Sequence, residues 1–289
     1  MTNFLQLLLA GVSVGAIYAL VAMGFVAIYT VSNVINLAQG EFAALAGLVA
    51  ISAVGSGLPL PTALLIAVVT VVIVAAVMQR LTIAPVKRMT TLLSIILTLG
   101  VSTTLKAAML LIWGPEGRGL TEFPGPRLSL AGVAVRAQDL WILGVTAIVA
   151  LGITWFYERT VAGKALLACA EQPTAARLVG ISIAQASLVS FVIAGLLGAI
   201  AGVLASPIHF TSWNSGLALG LKGFVAATLG GLTSIRGAIL GGLLLGVLEL
   251  MVAGYVDSGL RDAVAFVVLI AVLVARPAGF LGQRSVARV

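Results

Sequence analysis

Between Val31 and Glu41 the chain reads Val-Ser-Asn-Val-Ile-Asn-Leu-Ala-Gln-Gly-Glu. Asn33, Asn36, Gln39 and Glu41 place three amide side chains and one carboxylate in a stretch flanked by long apolar runs. Amides both donate and accept hydrogen bonds, and a carboxylate accepts them. Such a set suits solvating a polar solute rather than cleaving a bond. Two readings stand side by side: a wall of a translocation path, or an ordinary turn with Gly40 as the helix breaker. Two further charges, Lys106 and Glu249, fall inside other apolar runs. Lys106 lies roughly 10 Å from the end of its run at 1.5 Å per residue, and Glu249 at a similar depth, so the two are candidates for an intramembrane ion pair. Bond-making chemistry has little to work with. His209 and Cys169 are the single histidine and the single cysteine, which excludes a disulfide within the chain and argues against a Cys/His metal site. No catalytic set and no metal site are expected, and no cofactor bound by this chain.

The elements that must position these groups follow from composition. Of 289 residues, 61% are hydrophobic and 9% charged, against about 45–50% and about 25% in soluble domains. With a mean hydropathy of +1.20, this excludes a soluble enzyme, a nucleic-acid-binding domain and a disordered chain. Apolar runs near the length of a span cover 4–30, 42–57, 61–79, 92–112, 139–157, 185–206, 222–235, 237–256 and 263–276. The expected fold is an all-α, polytopic transmembrane helix bundle of 8–9 spans in a single domain, 1–289. The short run 222–235 and the polar break at 31–41 suggest re-entrant or broken helices. Gly198/Gly202, Gly237/Gly241 and Gly242/Gly246 put glycines on single helix faces and predict close packing inside the chain or between subunits.

The formal charge of +7 is an orientation signal. Arg80, Lys87 and Arg88, then Arg159, Lys164 and Arg177, then Arg276, Arg284 and Arg288 mark three stretches as cytoplasmic by the positive-inside rule. The C-terminus is then cytoplasmic, and 113–138, 207–221 and 257–262 are external. Segment 158–184 reads as two short helices: one from Lys164 to Glu171, a break at Pro173, a second capped by Thr174, and Gly180 past its end. Ala175 and Ala176 would be exposed between charges, a knob for a partner's socket or simply a solvated loop. The pattern G-x-x-x-x-G-K-[ST] is absent, so any ATP must be bound by another chain.

Four places in order along the chain resemble the permease subunits of ATP-binding-cassette importers for branched-chain amino acids, of the LivH type. They are Gly15-Ala16-Ile17-Tyr18-Ala19-Leu20; Ile35-Asn36-Leu37-Ala38-Gln39-Gly40-Glu41; Gly163-Lys164-Ala165 through Ala175-Ala176-Arg177 to Gly180-Ile181; and Gly230-Gly231-Leu232-Thr233-Ser234-Ile235-Arg236-Gly237-Ala238. Leu37 and Gln39 replace the Phe and His usual in that family, and Arg236 a common Pro. The resemblance implies a bacterial inner-membrane protein that carries no ATPase domain. Its partners would be two ATPase subunits, a second permease (a LivM-like chain or a copy of itself) and an extracytoplasmic substrate-binding protein. It implies that Gly163, Lys164, Ala165, Glu171, Ala175, Ala176, Arg177 and Gly180 couple to the ATPase, and that Asn33, Asn36, Gln39 and Glu41 shape the path. Urea, amides and aromatic acids are alternative cargoes. An ion-driven secondary transporter and a passive channel are the alternative classes.

Overall fold

The computed structural model describes residues 2–86, 89–126, 128–130, 133–276 and 278–282. Lys87, Arg88, Arg284 and Arg288 of the basic stretches lie outside the described residues. The first helix, α1 (Thr2–Ser32), is apolar all round, and its central part is buried on every side. A helix without a polar face belongs in a core, and α1 is the axis of the bundle. Around it pack α5 (Ala137–Arg159), α8 (Ile183–Ala205), α9 (Ser215–Gly230) and α10 (Ile235–Tyr255). Helix α2 (Gln39–Gly55) sits between α8, α9 and α3 (Leu60–Met78). Helix α3 ends in a π-turn, Gln79–Ile83. Helices α4 (Thr91–Trp113) and α11 (Arg261–Ala275) are peripheral and mostly exposed.

Among the described residues seven helices are long and apolar enough to cross a bilayer, against the 8–9 spans expected. The difference is α2 and α9, with 17 and 16 residues. At 1.5 Å per residue they reach only about 25 Å, short of a hydrocarbon core of about 30 Å. The expected run 222–235 is also misplaced. Helix α9 begins at Ser215, inside the stretch expected to be a loop, and stops at Gly230.

Glycine lets the central helices touch backbone to backbone. Helices α1 and α10 run antiparallel, and a Cβ on Gly15 would meet Leu243 Cα at 2.8 Å, one on Gly242 Ala19 Cα at 2.5 Å. Gly198 and Gly202 bring α8 against Phe42 and Ala43 of α2 in the same way. Of the two readings of the glycine pairs, packing within the chain is the one formed.

One end of the bundle carries α6 (Val161–Glu171) and α7 (Pro173–Leu178). Thr160 folds α5 into α6: its hydroxyl donates to Phe156 O at 2.6 Å and accepts from Gly163 N at 3.0 Å. At the same end Arg236 pairs with Glu158. The tail crosses the α9–α10 turn there, with Phe280 N and Leu281 N donating to Leu229 O and Gly230 O, each at 2.9 Å. Gly231 (φ 107°) has the tail at Gly282 against it, where a Cβ would meet Gly282 Cα at 2.6 Å. This explains the glycine turn in the sequence. At the opposite end a short antiparallel hairpin pairs Leu128–Leu130 with Val133–Val135. Arg118 and Thr211 exchange backbone bonds at 2.9 and 2.7 Å, which ties the α4–α5 loop to the α8–α9 loop.

Candidate functional site

Helix α1 ends at Asn33, whose φ of 52° is left-handed. Asn tolerates this conformation because its short polar side chain bonds locally. The chain then runs without helix to Ala38 and starts α2 at Gln39. The new helix begins deep in the bundle. Gln39 Nε2 donates to Ala194 O at 2.9 Å, and Ala194 is the midpoint of α8. Ser102, the midpoint of α4, donates to Glu41 Oε1 at 3.1 Å. The backbone of 34–38 therefore lies at membrane depth rather than in a surface turn. Protein must satisfy its polar groups there. Thr98 of α4 does so on both sides of the break: its hydroxyl accepts from Leu37 N at 3.2 Å and lies 3.1 Å from Ile35 O. Asn36 Oδ1 accepts from Ala38 N at 3.1 Å and closes the turn into α2.

The four polar residues of the break separate. Asn36, Gln39 and Glu41 are fully buried, whereas Asn33 is exposed. Gln39 fits between Gly24 and Gly198, and Gly216 makes room for the Glu41 carboxylate. Asn36 Nδ2, Gln39 Oε1 and Glu41 Oε2 have no hydrogen-bond partner among the described residues. The break thus holds spare polar capacity at the centre of the bundle.

The expected ion pair between Lys106 and Glu249 is not formed. Lys106 Nζ lies 3.6 Å from Glu41 Oε1. Glu249 instead receives Tyr18 Oη at 2.8 Å, Lys222 Nζ at 3.1 Å and Arg261 Nε at 3.4 Å. The reason is radial position. Glu249 faces inward from α10 towards α1 and α9, while Lys106 is on peripheral α4, which meets α2. Lys222 also bonds Asp262 at 2.8 Å and lies 5.6 Å from the centre of the Tyr18 ring. Neither Lys222 nor Arg261 is among the residues that the sequence singles out. Lys222 was visible as a lone cation in a glycine-rich apolar stretch.

This charged cluster borders a cavity of about 380 Å³ at the end away from α6 and α7. Val14, Ile17, Ala43, Ala44 and Leu219 give it an apolar wall, and Lys222, Arg261 and Asp262 a charged one. His209 is at its rim, where desolvation and then the cations Arg261, Lys222 and Arg136 hold the imidazole below its ordinary 6.5.

At the other end, α7 begins at Pro173 itself, with Gln172 rather than Thr174 in the capping position. A first-turn proline loses nothing, since that N–H has no helical partner. Gly180 (φ 86°) lies past its end and donates to Arg177 O at 3.0 Å. Gly163 is buried where a Cβ would meet Tyr157 Cα at 2.7 Å. Lys164, Glu171, Ala175 and Arg177 are exposed and Ala165 half-buried. Ala176 differs from expectation. It is 3% exposed, because it turns inward as α7 packs on α6. What protrudes instead is apolar: Leu178 is 84% exposed and Val179 75%.

A helical membrane protein with a broken helix at mid-depth, a two-faced cavity at one end and a protruding helix pair at the other has the build of a transport permease. Residues 7–273 match the family described as branched-chain amino acid transport system / permease component, and the chain belongs to that family. It is 35% identical to the high-affinity branched-chain amino acid transport system permease protein BraD of Pseudomonas aeruginosa, over 99% of this chain and 98% of that one. It is 32% identical to the corresponding LivH protein of Escherichia coli over the same shares. Among solved structures, a chain of PsaBC from Streptococcus pneumoniae in complex with Fab superposes with a TM-score of 0.54 at 14% identity, covering 94% of this chain and 91% of that one. That likeness concerns the fold alone.

Proposed function

We propose that this chain is the membrane-spanning subunit of an ATP-driven importer for branched-chain amino acids, acting as one permease domain and binding no cofactor. The observation that carries the coupling is the α6–α7 knob. Leu178 and Val179 present large apolar side chains beside Lys164, Glu171 and Arg177. Exposed apolar groups ringed by charge mark a partner surface. Its fitting partner is an ATPase subunit, one beneath each of two permeases, since this chain has no phosphate-binding loop of its own. The second permease is a LivM-like chain or a copy of this one, and a substrate-binding protein delivers cargo at the opposite end.

Charge supports the orientation. Arg80, Arg159, Lys164, Arg177, Arg236 and Arg276 outnumber Glu158 and Glu171 towards the α6–α7 end, while Arg118, Arg136 and Arg261 are outnumbered by Glu116, Glu122, Asp139, Asp257 and Asp262 towards the other. By the positive-inside rule the knob and the C-terminus are cytoplasmic. The broken segment with Asn33, Asn36, Gln39 and Glu41 then shapes the path. It is tied to α4 through Thr98, Ser102 and Lys106.

The test is Leu178→Asp with Val179→Asp, on positions exposed enough to leave folding intact. Membrane insertion is expected to stay normal, with ATPase co-purification and amino-acid uptake lost together. Unchanged docking and uptake in the double variant would refute the coupling assignment.

A further inference from the structure

The cavity between α1, α2, α8, α9 and α11 joins a charged wall to an apolar one. Its charges balance. Lys222 and Arg261 face Asp262, with Glu249 buried behind them. Lys222 is already committed, at 3.1 Å from Glu249 and 2.8 Å from Asp262. Arg261 is not. Among the described residues its one hydrogen bond within 3.5 Å is Nε to Glu249 Oε2 at 3.4 Å, with the Tyr18 hydroxyl close by, so the guanidinium keeps room for a further partner. Asp262 accepts Lys222 on Oδ1 alone, and its carboxylate is 80% exposed.

An open guanidinium edge is the natural partner of a carboxylate, which it can grip with two hydrogen bonds. An open carboxylate next to it takes an ammonium. A lone anion entering this cavity gains from the two cations and loses to the two carboxylates, and a lone cation meets the converse. A ligand bearing both charges avoids either loss, and the misfit of singly charged analogues supplies the discrimination. The apolar wall then favours an aliphatic side chain. The volume lies within the roughly 300–1,000 Å³ of small-molecule sites.

We infer that this cavity is a binding site, within the permease itself, for a zwitterionic α-amino acid with an aliphatic side chain. The carboxylate lies on Arg261, the ammonium on Asp262 and the side chain against Val14, Ile17 and Leu219. The inference rests on the amino-acid reading above and goes beyond it: cargo is checked a second time after delivery, by residues of this chain.

The experiment measures equilibrium binding of radiolabelled leucine to the purified permease–ATPase complex in nanodiscs without the substrate-binding protein. Uptake by proteoliposomes with that protein is measured in parallel. Saturable binding is expected, competed by valine and isoleucine. Isopentylamine and 4-methylpentanoate, which lack one charge each, should compete at least about ten-fold more weakly. Ala218→Phe, at an exposed position lining the cavity, should weaken binding at least about ten-fold, with Ala218→Ser as the size-neutral control and ATPase co-purification as the folding check. Wild-type uptake of leucine without saturable binding overturns the inference and leaves the proposed function standing. So does equal competition by either singly charged analogue, or unchanged binding in a folded Ala218→Phe complex. Competition by glycerophosphoethanolamine as strong as by leucine makes the cavity a lipid-headgroup site and also overturns it. Absence of any aliphatic amino-acid uptake fails the proposed function itself.

Discussion

Thr98→Val tests whether the broken helix is held by α4. The side chains are nearly isosteric, so the substitution removes a hydroxyl and little else. That hydroxyl is the acceptor for Leu37 N at 3.2 Å, and its single proton is shared among Ile35 O at 3.1 Å, Ser94 O at 2.8 Å and Ile95 O at 3.3 Å. Losing it strands the Leu37 N–H at membrane depth and weakens the satisfaction of Ile35 C=O. An unsatisfied buried polar group costs about 1–3 kcal/mol. One group lost outright and one in part give about 2–4 kcal/mol, or roughly 30- to 1,000-fold in the unfolding equilibrium at about 1.4 kcal/mol per decade. Thr103 is the internal control: it lies on the same helix, but its hydroxyl bonds only Leu99 O and faces outward. Thr103→Val is expected to stay within about 0.5 kcal/mol of wild type, and Thr98→Ser to recover most of the loss. The assay is denaturant unfolding of the chain in detergent micelles. A Thr98→Val value equal to that of Thr103→Val would show that α4 does not hold the break.

Three other outcomes follow from the same geometry. Lys222→Leu leaves the buried Glu249 carboxylate with only Tyr18 and the longer Arg261 contact; it is expected to cost about 3–5 kcal/mol, and the double variant with Glu249→Leu less than that, as read by a double-mutant cycle in thermal denaturation. Gly242→Val, aimed at the Ala19 backbone, should force α1 and α10 apart and abolish recovery of monodisperse protein in size-exclusion chromatography. Because His209 titrates below 6.5 in the fold, an unfolded chain takes up its proton first. Stability should therefore fall as pH drops below 6.5, and His209→Gln should flatten that slope in thermal shift measured between pH 8 and pH 5.

Much of the architecture was legible along the chain. Span-length runs separated by basic and Gly/Pro-rich stretches announce a helical bundle, because the bilayer imposes a length and a composition on each crossing. The α6–α7 pair was legible too, since Pro173 and Gly180 act through their own backbone geometry. Helix α9 was not. Its first turns fall in the stretch 207–221 expected to be external, and they pack inside the bundle because Gly216 and Gly220 let Gly40 and Glu41 press against them from α2. The charge pairs were equally hidden. Hydropathy along a sequence measures depth but not the direction a helix face points. Lys106 and Glu249 looked like partners, yet Lys106 meets Glu41 and Glu249 meets Lys222. The sequence by itself determined that polar groups interrupt the first two helices. Only the tertiary structure decided that the interruption lies at mid-depth, because that depends on the midpoints of α4 and α8, whose residues lie far away along the chain and touch the break only once the bundle is packed.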